Sequence, residues 1–392
     1  MDRRSLFKAG AGAGLALLGA PAILRQRYRA FAFAPDEYSA RTIRLIQESP
    51  VVDMLCQFAF SDFREEPGPP KAQRWLNDPR SFTAEDFATF RSSGVAALAL
   101  GHGAPSFEAS VQWAAAWNGF IASRSEWFRR VDTVDDLRLT AANGRIGIIL
   151  STQDASHFRS VNDVETFYRL GQRVAQLTYN TQNRIGAGFL EHRDGGLTVF
   201  GHDILKKMED VGMAVDLSHC ADQTTMDAIA AATKPPIFTH GTARGLLPDC
   251  LRCKTDESIR ALAAKGGVVG IAMIRFMVRP EAPVTVEHVA DHVEHVMKIA
   301  GAEHVGIGSD LDMAGLANAI PRSGPIAPTS QPNFSRYNAY FAEDGGAHVD
   351  GMNHPKRVFD LVETMLRRRH SDATIRGLLG GNFIRAMAQV WR

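Results

Sequence analysis

Eight short apolar runs recur along this chain of 392 residues, each separated from the next by a longer stretch. The runs are rich in β-branched residues and lack strict alternation with polar residues, which is typical of parallel strands buried on both faces. The strands of an antiparallel sandwich would alternate apolar and polar residues. We therefore predict parallel strands at residues 51–55, 95–100, 146–150, 174–179, 213–217, 237–240, 268–273 and 305–308.

Amphipathic stretches follow most of these runs. They predict helices at residues 85–93, 106–124, 163–171, 201–210, 225–232, 256–265 and 286–300, with two more at 354–369 and 372–391. Eight strand–helix units close into a (β/α)8 TIM barrel of the α/β class, with C-terminal helices, in a single domain at 23–392. The alternative is an open doubly wound sheet, but its Gly-rich phosphate motif does not follow the first run.

Two segments depart from this pattern. Residues 1–22 contain Arg3 and Arg4 before an apolar stretch and a small-residue cleavage site, which is typical of a twin-arginine export signal. The apolar stretch falls short of the roughly 20 residues that cross a bilayer, so we expect export to the periplasm rather than anchoring. Residues 319–351 are rich in Pro, Ser, Asn and Gly, and we predict a lid-like insertion there.

The overall composition is that of a globular protein, with 45% hydrophobic and 22% charged residues. Lys and Arg total 44 against 43 Asp and Glu, so there is no basic excess to bind nucleic acid, and we expect a small substrate. Four cysteines are too few for a disulfide scaffold. Cys250 and Cys253 have CxxC spacing, which we interpret as a local disulfide or two inert thiols rather than a metal site.

Active groups of a barrel lie at the carboxyl ends of its strands. His219 and His240 end two consecutive strands, which lie about 5 Å apart, so both imidazoles can reach one cation at about 2 Å. A single histidine there more often forms an internal hydrogen bond, but a pair favours a polar active site. The other polar residues near strand ends are Asp53, Cys56, Gln57, His102, Gln153, Asp154, Tyr179, Asn180, Arg275, Asp310 and Asp312.

Asp310 and Arg252 are the charged candidates. Asp310 follows residues 306–309, whose small side chains leave room above the strand, and it could bind a metal or accept a proton from water. Asp312 fits a helix cap better. Arg252 could bind a substrate carboxylate with two hydrogen bonds, although arginines are also common on surfaces.

Several stretches around these residues resemble the membrane dipeptidase (renal dipeptidase) family of amidohydrolase-type barrels. The resemblance covers the chain from about Val51 to its carboxyl terminus, and its ordered agreement is specific for the family. It implies hydrolysis of dipeptides with two zinc ions. The matching stretches are residues 177–180, 195–198, 212–219, 239–240, 267–270, 306–312 and 380–385.

The chain departs from the family at the first zinc site. The family has a His-x-Asp pair after the first strand and a bridging glutamate after the third, whereas this chain has Leu55, Gln57 and Gln153. Tyr179 replaces a substrate-contacting histidine. Two divalent cations about 4 Å apart repel by roughly 16 kcal/mol at an effective dielectric of about 20, and carboxylates must offset this. We therefore expect one zinc ion at most, with Asp310 or Cys56 as a third ligand, or a metal-free site.

These residues lead to a hypothesis of a periplasmic dipeptidase-like hydrolase that uses one zinc. Asp310 would move the proton, Arg252 and Asn180 would bind the substrate, and Gln153 and Tyr179 would orient its amide or the developing oxyanion. The alternatives are a metal-free tailoring enzyme that acts on a peptide-like compound, and a non-catalytic binding protein. The substrate and a possible homodimer are left open.

Overall fold

The computed structural model describes residues 38–58, 71–104, 106–279, 281, 283–315 and 349–391. The strands in this part of the chain are all parallel to their neighbours. They are β1 (Val52–Cys56), β2 (Ala97–Leu100), β3 (Phe128–Arg130), β4 (Ile146–Thr152), β5 (Gln172–Gln176), β6 (Ala214–Asp216), β7 (Ile237–Gly241), β8 (Val268–Ile271) and β9 (Val305–Ile307).

Eight of these strands form a closed barrel. Neighbouring strands follow the order β2-β1-β9-β8-β7-β6-β5-β4, and β2 then pairs with β4. That last pairing sets Ala97 opposite Gly147 and closes the circle. β3 is an additional strand on β4, where it pairs Phe128 with Ile146. The predicted TIM barrel is confirmed, and the open doubly wound sheet is excluded.

The helices lie between the strands and after the last of them. None of the described helices has the length and apolar character needed to cross a membrane. They are α1 (Ala40–Glu48), α2 (Lys71–Asn77), α3 (Ala84–Ser92), α4 (Phe107–Ser123), α5 (Val134–Asn143), α6 (Val161–Arg169), α7 (Val199–Val211), α8 (Asp222–Ala231), α9 (Asp256–Ala264), α10 (Arg275–Val278), α11 (Val286–Ala300), α12 (Arg357–Arg367), α13 (Asp372–Arg376) and α14 (Asn382–Met387).

Two hydrophobic clusters explain which end of the barrel carries polar groups. The larger cluster lies between strands and helices, and it includes Leu98, Ile148 and Phe238. The smaller cluster joins the first residues of several strands, such as Val52, to Phe383 and other C-terminal residues. The C-terminal helices therefore close the amino-terminal end of the barrel, and the opposite end is left for chemistry.

Some predicted boundaries differ from the structure. The strand predicted at 174–179 lies at Gln172–Gln176, so Tyr179 is in the following loop. The helix predicted at 372–391 is α13 and α14 joined by a π-helical turn, Gly377–Gly381. β3 was missed because two of its three residues are arginines, which do not form an apolar run. The export signal and residues 319–348 of the lid-like insertion lie outside the described residues.

Candidate active site

His219 and His240 meet at the carboxyl end of the barrel. His240 lies in β7, and His219 follows the last residue of β6, Asp216, by three positions. The two strands are neighbours, with Asp216 opposite Ile237. As a result, the two Nε2 atoms are 2.9 Å apart and both side chains are buried. The predicted convergence of the imidazoles is confirmed, and their role as metal ligands stays a prediction.

A close backbone contact fixes the position of His240. A Cβ atom on Gly308 would lie 1.8 Å from the carbonyl oxygen of Thr239 and 3.2 Å from the Cα of His240. Only glycine allows β7 to approach this closely. At Gly308, the room predicted above the small residues of 306–309 is filled by the backbone of β7, so that expectation was wrong at this residue.

Hydrogen bonds at the two Nδ1 atoms set the tautomers of both histidines. His219 Nδ1 lies 2.7 Å from Asn180 Oδ1, an acceptor, so this nitrogen carries the proton. His240 Nδ1 lies 2.9 Å from the Thr239 hydroxyl, which itself donates to Asp216 Oδ2 at 2.6 Å. Burial raises the pKa of Asp216, but the hydrogen bonds it accepts favour its carboxylate form. His240 Nδ1 must then donate to the threonine oxygen.

Both Nε2 atoms consequently present lone pairs to each other. At 2.9 Å this contact is repulsive unless a proton or a metal cation lies between the nitrogens. Burial and the charge of Arg252 lower the pKa of both His219 and His240 well below the usual value, which disfavours the proton. Neutral imidazoles oriented through Nδ1 are the form that binds zinc. The residues present therefore fit one cation.

Two glutamine amides occupy the neighbouring side of the pocket. Gln153 Nε2 lies 3.3 Å from His240 Nε2, and Gln57 Nε2 donates to Asp310 Oδ1 at 2.7 Å. The two amide oxygens lie over Gly101, where a Cβ would come within 2.5 Å of Gln57 and 2.8 Å of Gln153. Leu55 is fully buried in β1. The two amides thus form a neutral side of the pocket.

Asp310 contacts Gln57 on this neutral side and has a strained backbone conformation. Its φ of 57° is in the left-handed region, which few non-glycine residues adopt. Its N–H donates to the Leu55 carbonyl oxygen at 2.9 Å, and its Oδ2 lies 3.9 Å from His240 Nε2. Burial raises the pKa of Asp310 to about 6. A carboxyl group with this pKa can accept and release a proton near neutral pH.

Tyr179 and Asn180 contact His219 directly. The Tyr179 ring stacks on the imidazole with centroids 4.3 Å apart, and the residue remains 38% exposed. Packing around the phenol and the nearby charge of Asp310 raise the pKa of Tyr179 to about 12, so its hydroxyl stays a donor. Asn180 is committed to orienting His219. Its predicted contact with substrate stays a prediction.

Arg252 braces the two histidine segments. Its guanidinium is buried and donates to the carbonyl oxygens of Ser218 and His240. It also lies over the Phe189 ring, 5.9 Å from the centroid. Its charge thus lies beside the pocket, while the carboxylate-binding role stays a prediction.

Other strand-end candidates lie in structural positions. Cys56 packs in the main hydrophobic core, and burial raises the pKa of its thiol, which disfavours the thiolate that zinc binds. His102 stacks on Trp113 with centroids 4.4 Å apart. Asp312 begins a turn closed by the N–H of Gly315, and its role as a helix cap stays a prediction. Within the described residues, no group of three or more His, Cys, Asp or Glu side chains converges as a metal site.

Sequence reasoning missed the residues behind the histidines. Asp216 accepts hydrogen bonds from Ser218 and Thr239, and Thr239 sets the tautomer of His240. The available signal was their position, because each lies within three residues of a candidate histidine on a predicted strand. The residue types of Asp216 and Thr239 alone did not reveal these roles.

Comparison with known proteins identifies the family of this barrel. The family model described as membrane dipeptidase, peptidase family M19, matches residues 40–319 and 340–392. The chain belongs to the membrane dipeptidase family.

Individual relatives agree with this membership. The chain is 30% identical over 251 residues to dipeptidase verJ of Clonostachys rogersoniana, covering 63% of this chain and 56% of that protein. It is 29% identical over 270 residues to an uncharacterised dipeptidase of Schizosaccharomyces pombe, covering 67% of this chain and 56% of that protein. The chain thus spans about half the length of these curated relatives.

A solved structure matches over nearly its full length. An amidohydrolase from Pseudomonas aeruginosa aligns with a TM-score of 0.72 at 27% sequence identity, covering 89% of this chain and 99% of that one. The barrel and the family expected from the sequence are both confirmed.

Proposed function

We propose that this membrane dipeptidase family member is a metal-dependent hydrolase that cleaves dipeptides or a related peptide-like amide with one zinc ion. The observation that carries the proposal is the 2.9 Å distance between the Nε2 atoms of His219 and His240 in a buried pocket. Family membership supports the reaction class. A zinc ion, when bound, polarises a carbonyl group and increases the acidity of water.

Asp310 is the proposed proton carrier. Its Oδ2 lies 3.9 Å from His240 Nε2, so the carboxylate faces the place where a substrate amide would meet the histidines. Its raised pKa lets it take a proton from the attacking water and pass it to the leaving amine. Gln57 holds the other carboxyl oxygen and fixes the direction of the group.

The remaining polar groups would bind and orient the substrate. The Tyr179 hydroxyl is a donor at neutral pH, and the Gln153 amide reaches His240, so both can stabilise an oxyanion that develops above the histidines. Arg252 supplies positive charge for a free carboxylate of the substrate. We further propose export by the twin-arginine route, on the basis of residues 1–22, and a periplasmic site of action.

Zinc titration tests the proposal. We expect the zinc-stripped chain to bind about one zinc ion, and His219→Ala to lose this binding together with dipeptide hydrolysis. His370→Ala is the matched control, because that histidine contacts Glu294 on the outside of the barrel. Calorimetry measures the zinc, and amine release from a panel of dipeptides measures the activity.

Two results would contradict the proposal. A folded chain that binds no zinc would favour a metal-free tailoring enzyme or a binding protein. Zinc binding without hydrolysis of any dipeptide or peptide-like amide would separate the metal site from the proposed reaction.

A further inference from the structure

We propose that Cys250 and Cys253 are a reversible dithiol–disulfide site that clamps the segment carrying Arg252. Neither cysteine has a part in the proposed hydrolysis, and both thiols are free and buried in the structure. The inference does not depend on zinc or on the identity of the substrate.

The backbone brings the two cysteines to the ends of one tight turn. The N–H of Cys253 donates to the carbonyl oxygen of Cys250 at 3.0 Å, which closes a four-residue turn. The preceding turn is closed in the same way, by the Cys250 N–H and the Leu247 carbonyl at 3.0 Å. Such turns bring the end Cα atoms within about 7 Å, which overlaps the 4.4–6.8 Å range that a disulfide spans.

The two thiols also affect each other's ionisation. A hydrogen bond with the Cys253 thiol lowers the pKa of Cys250, so Cys250 is the better attacking thiolate. Cys253 Sγ lies 3.0 Å from the Thr242 hydroxyl, which holds it on the inner side of the turn. Leu251, between them, is 49% exposed, so the turn itself lies at the surface.

Arg252 lies between the two cysteines, and this connects the turn to the pocket. Its guanidinium donates to the carbonyl oxygens of Ser218 and His240, one on each histidine segment. A bond between Cys250 and Cys253 closes a small ring that contains Arg252. Oxidation therefore restricts the backbone from which this arginine reaches the site.

The oxidation step balances with a small-molecule disulfide such as glutathione disulfide as the oxidant. The Cys250 thiolate attacks one sulfur of the oxidant, whose S–S bond breaks and releases one thiolate, leaving a mixed disulfide. Cys253 loses its proton and attacks Cys250 Sγ, which forms the Cys250–Cys253 bond and releases the second thiolate. Two electrons and two protons pass to the oxidant, which leaves as two thiols.

Peptide mapping and amide hydrogen exchange of the full chain test the proposal. After treatment with glutathione disulfide, we expect the folded protein to contain an internal Cys250–Cys253 link and to be lighter by two hydrogen atoms. Closing a four-residue loop should slow exchange in residues 247–254 about tenfold, and added dithiothreitol should reverse both changes.

Matched variants distinguish a specific link from general oxidation. Cys253→Ser must abolish the link and the slowed exchange, and Cys250→Ser serves the same purpose if the first variant does not fold. Cys220→Ser must retain both effects, because that buried thiol contacts Thr178 in another loop. The proposal is overturned if the folded chain forms no link under conditions that link the unfolded chain, or if the link forms and exchange in 247–254 is unchanged.

Discussion

The two sides of the barrel mouth differ in charge although they belong to one continuous sheet. On the β6–β9 side, hydrogen bonds orient His219 and His240 to bind a cation, and Asp310 lies 3.9 Å from His240, where it can move a proton. On the β1–β4 side, Gln57 and Gln153 present neutral amides. We call the side with His219, His240 and Asp310 the equipped side, because its groups can bind a cation or move a proton. The other side is neutral.

Hydrogen bonding by the two glutamine amides explains how the neutral side remains stable. Gln153 has nearly the size of a glutamate and Gln57 is one methylene longer than an aspartate, but each amide can donate a hydrogen bond and carries no charge. Gln57 donates to Asp310 and Gln153 contacts His240, so each amide is satisfied by the equipped side. Buried carboxylates without a cation would be costly at these positions. The difference teaches that the neutral side is held in place by contacts with the charged side.

The largest expected effect comes from introducing, on the neutral side, the zinc ligands that the resemblance to the family implies. We expect the triple variant Leu55→His, Gln57→Asp and Gln153→Glu to bind about two zinc ions per chain instead of about one, because the restored carboxylates offset the repulsion between the cations. Calorimetric titration of the zinc-stripped protein measures the stoichiometry. A parallel dipeptide assay shows whether the second ion also raises the rate of hydrolysis.

A neutral variant controls for changes in packing. Leu55→Asn with Gln57→Asn alters two of the three positions without adding charge, and we expect its zinc stoichiometry to equal that of the parent chain. If the restored triple variant also binds only one ion while remaining folded, charge is not what separates the two sides.

Thr239→Val tests whether the fixed tautomer of His240 matters for zinc binding. The substitution preserves shape but removes the oxygen that accepts the His240 Nδ1 proton, so the tautomer is no longer fixed. We expect zinc affinity to fall about ten- to a hundredfold, by the usual effect of losing a group that orients a metal ligand. Competition with a chromophoric chelator measures this affinity.

Thr140→Val is the matched control for that variant. Thr140 is equally buried, but its hydroxyl donates only to the Leu137 carbonyl within α5. We expect its zinc affinity to be unchanged. Equal losses in both variants would show that the effect comes from general destabilisation rather than from the tautomer.

The same contrast shows what sequence reasoning can reach. Unbroken apolar runs revealed the barrel because burial on both faces constrains every position of a strand. His219 and His240 were found because strand ends share one edge. Asp216 and Thr239 were missed because their role is to keep a proton on His240 Nδ1. Only three-dimensional contacts reveal such a role. The role of Gly308 was misjudged because sequence shows small size but not the backbone that fills the space.

Asp310→Asn tests how the buried carboxyl group affects stability. The folded pKa of Asp310 is about 6, above the ordinary 3.8, so the folded state binds this proton more tightly than the unfolded state. Stability of the parent chain therefore falls as pH rises from about 4 to about 6, and the full cost of the buried charge remains above that range. Asparagine carries no charge and tolerates the left-handed conformation.

We accordingly expect zinc-stripped Asp310→Asn to be more stable than the parent by about 2 kcal/mol at pH 7.5, and nearly equal to it at pH 4. Urea unfolding at both pH values measures the difference, and the same variant should lose hydrolytic activity. Asp203→Asn changes an exposed carboxylate on α7 and should give no pH-dependent gain. A gain that is equal at both pH values would mean that Asp310 is not a buried charge, and the equipped side would then owe its chemistry to the histidines alone.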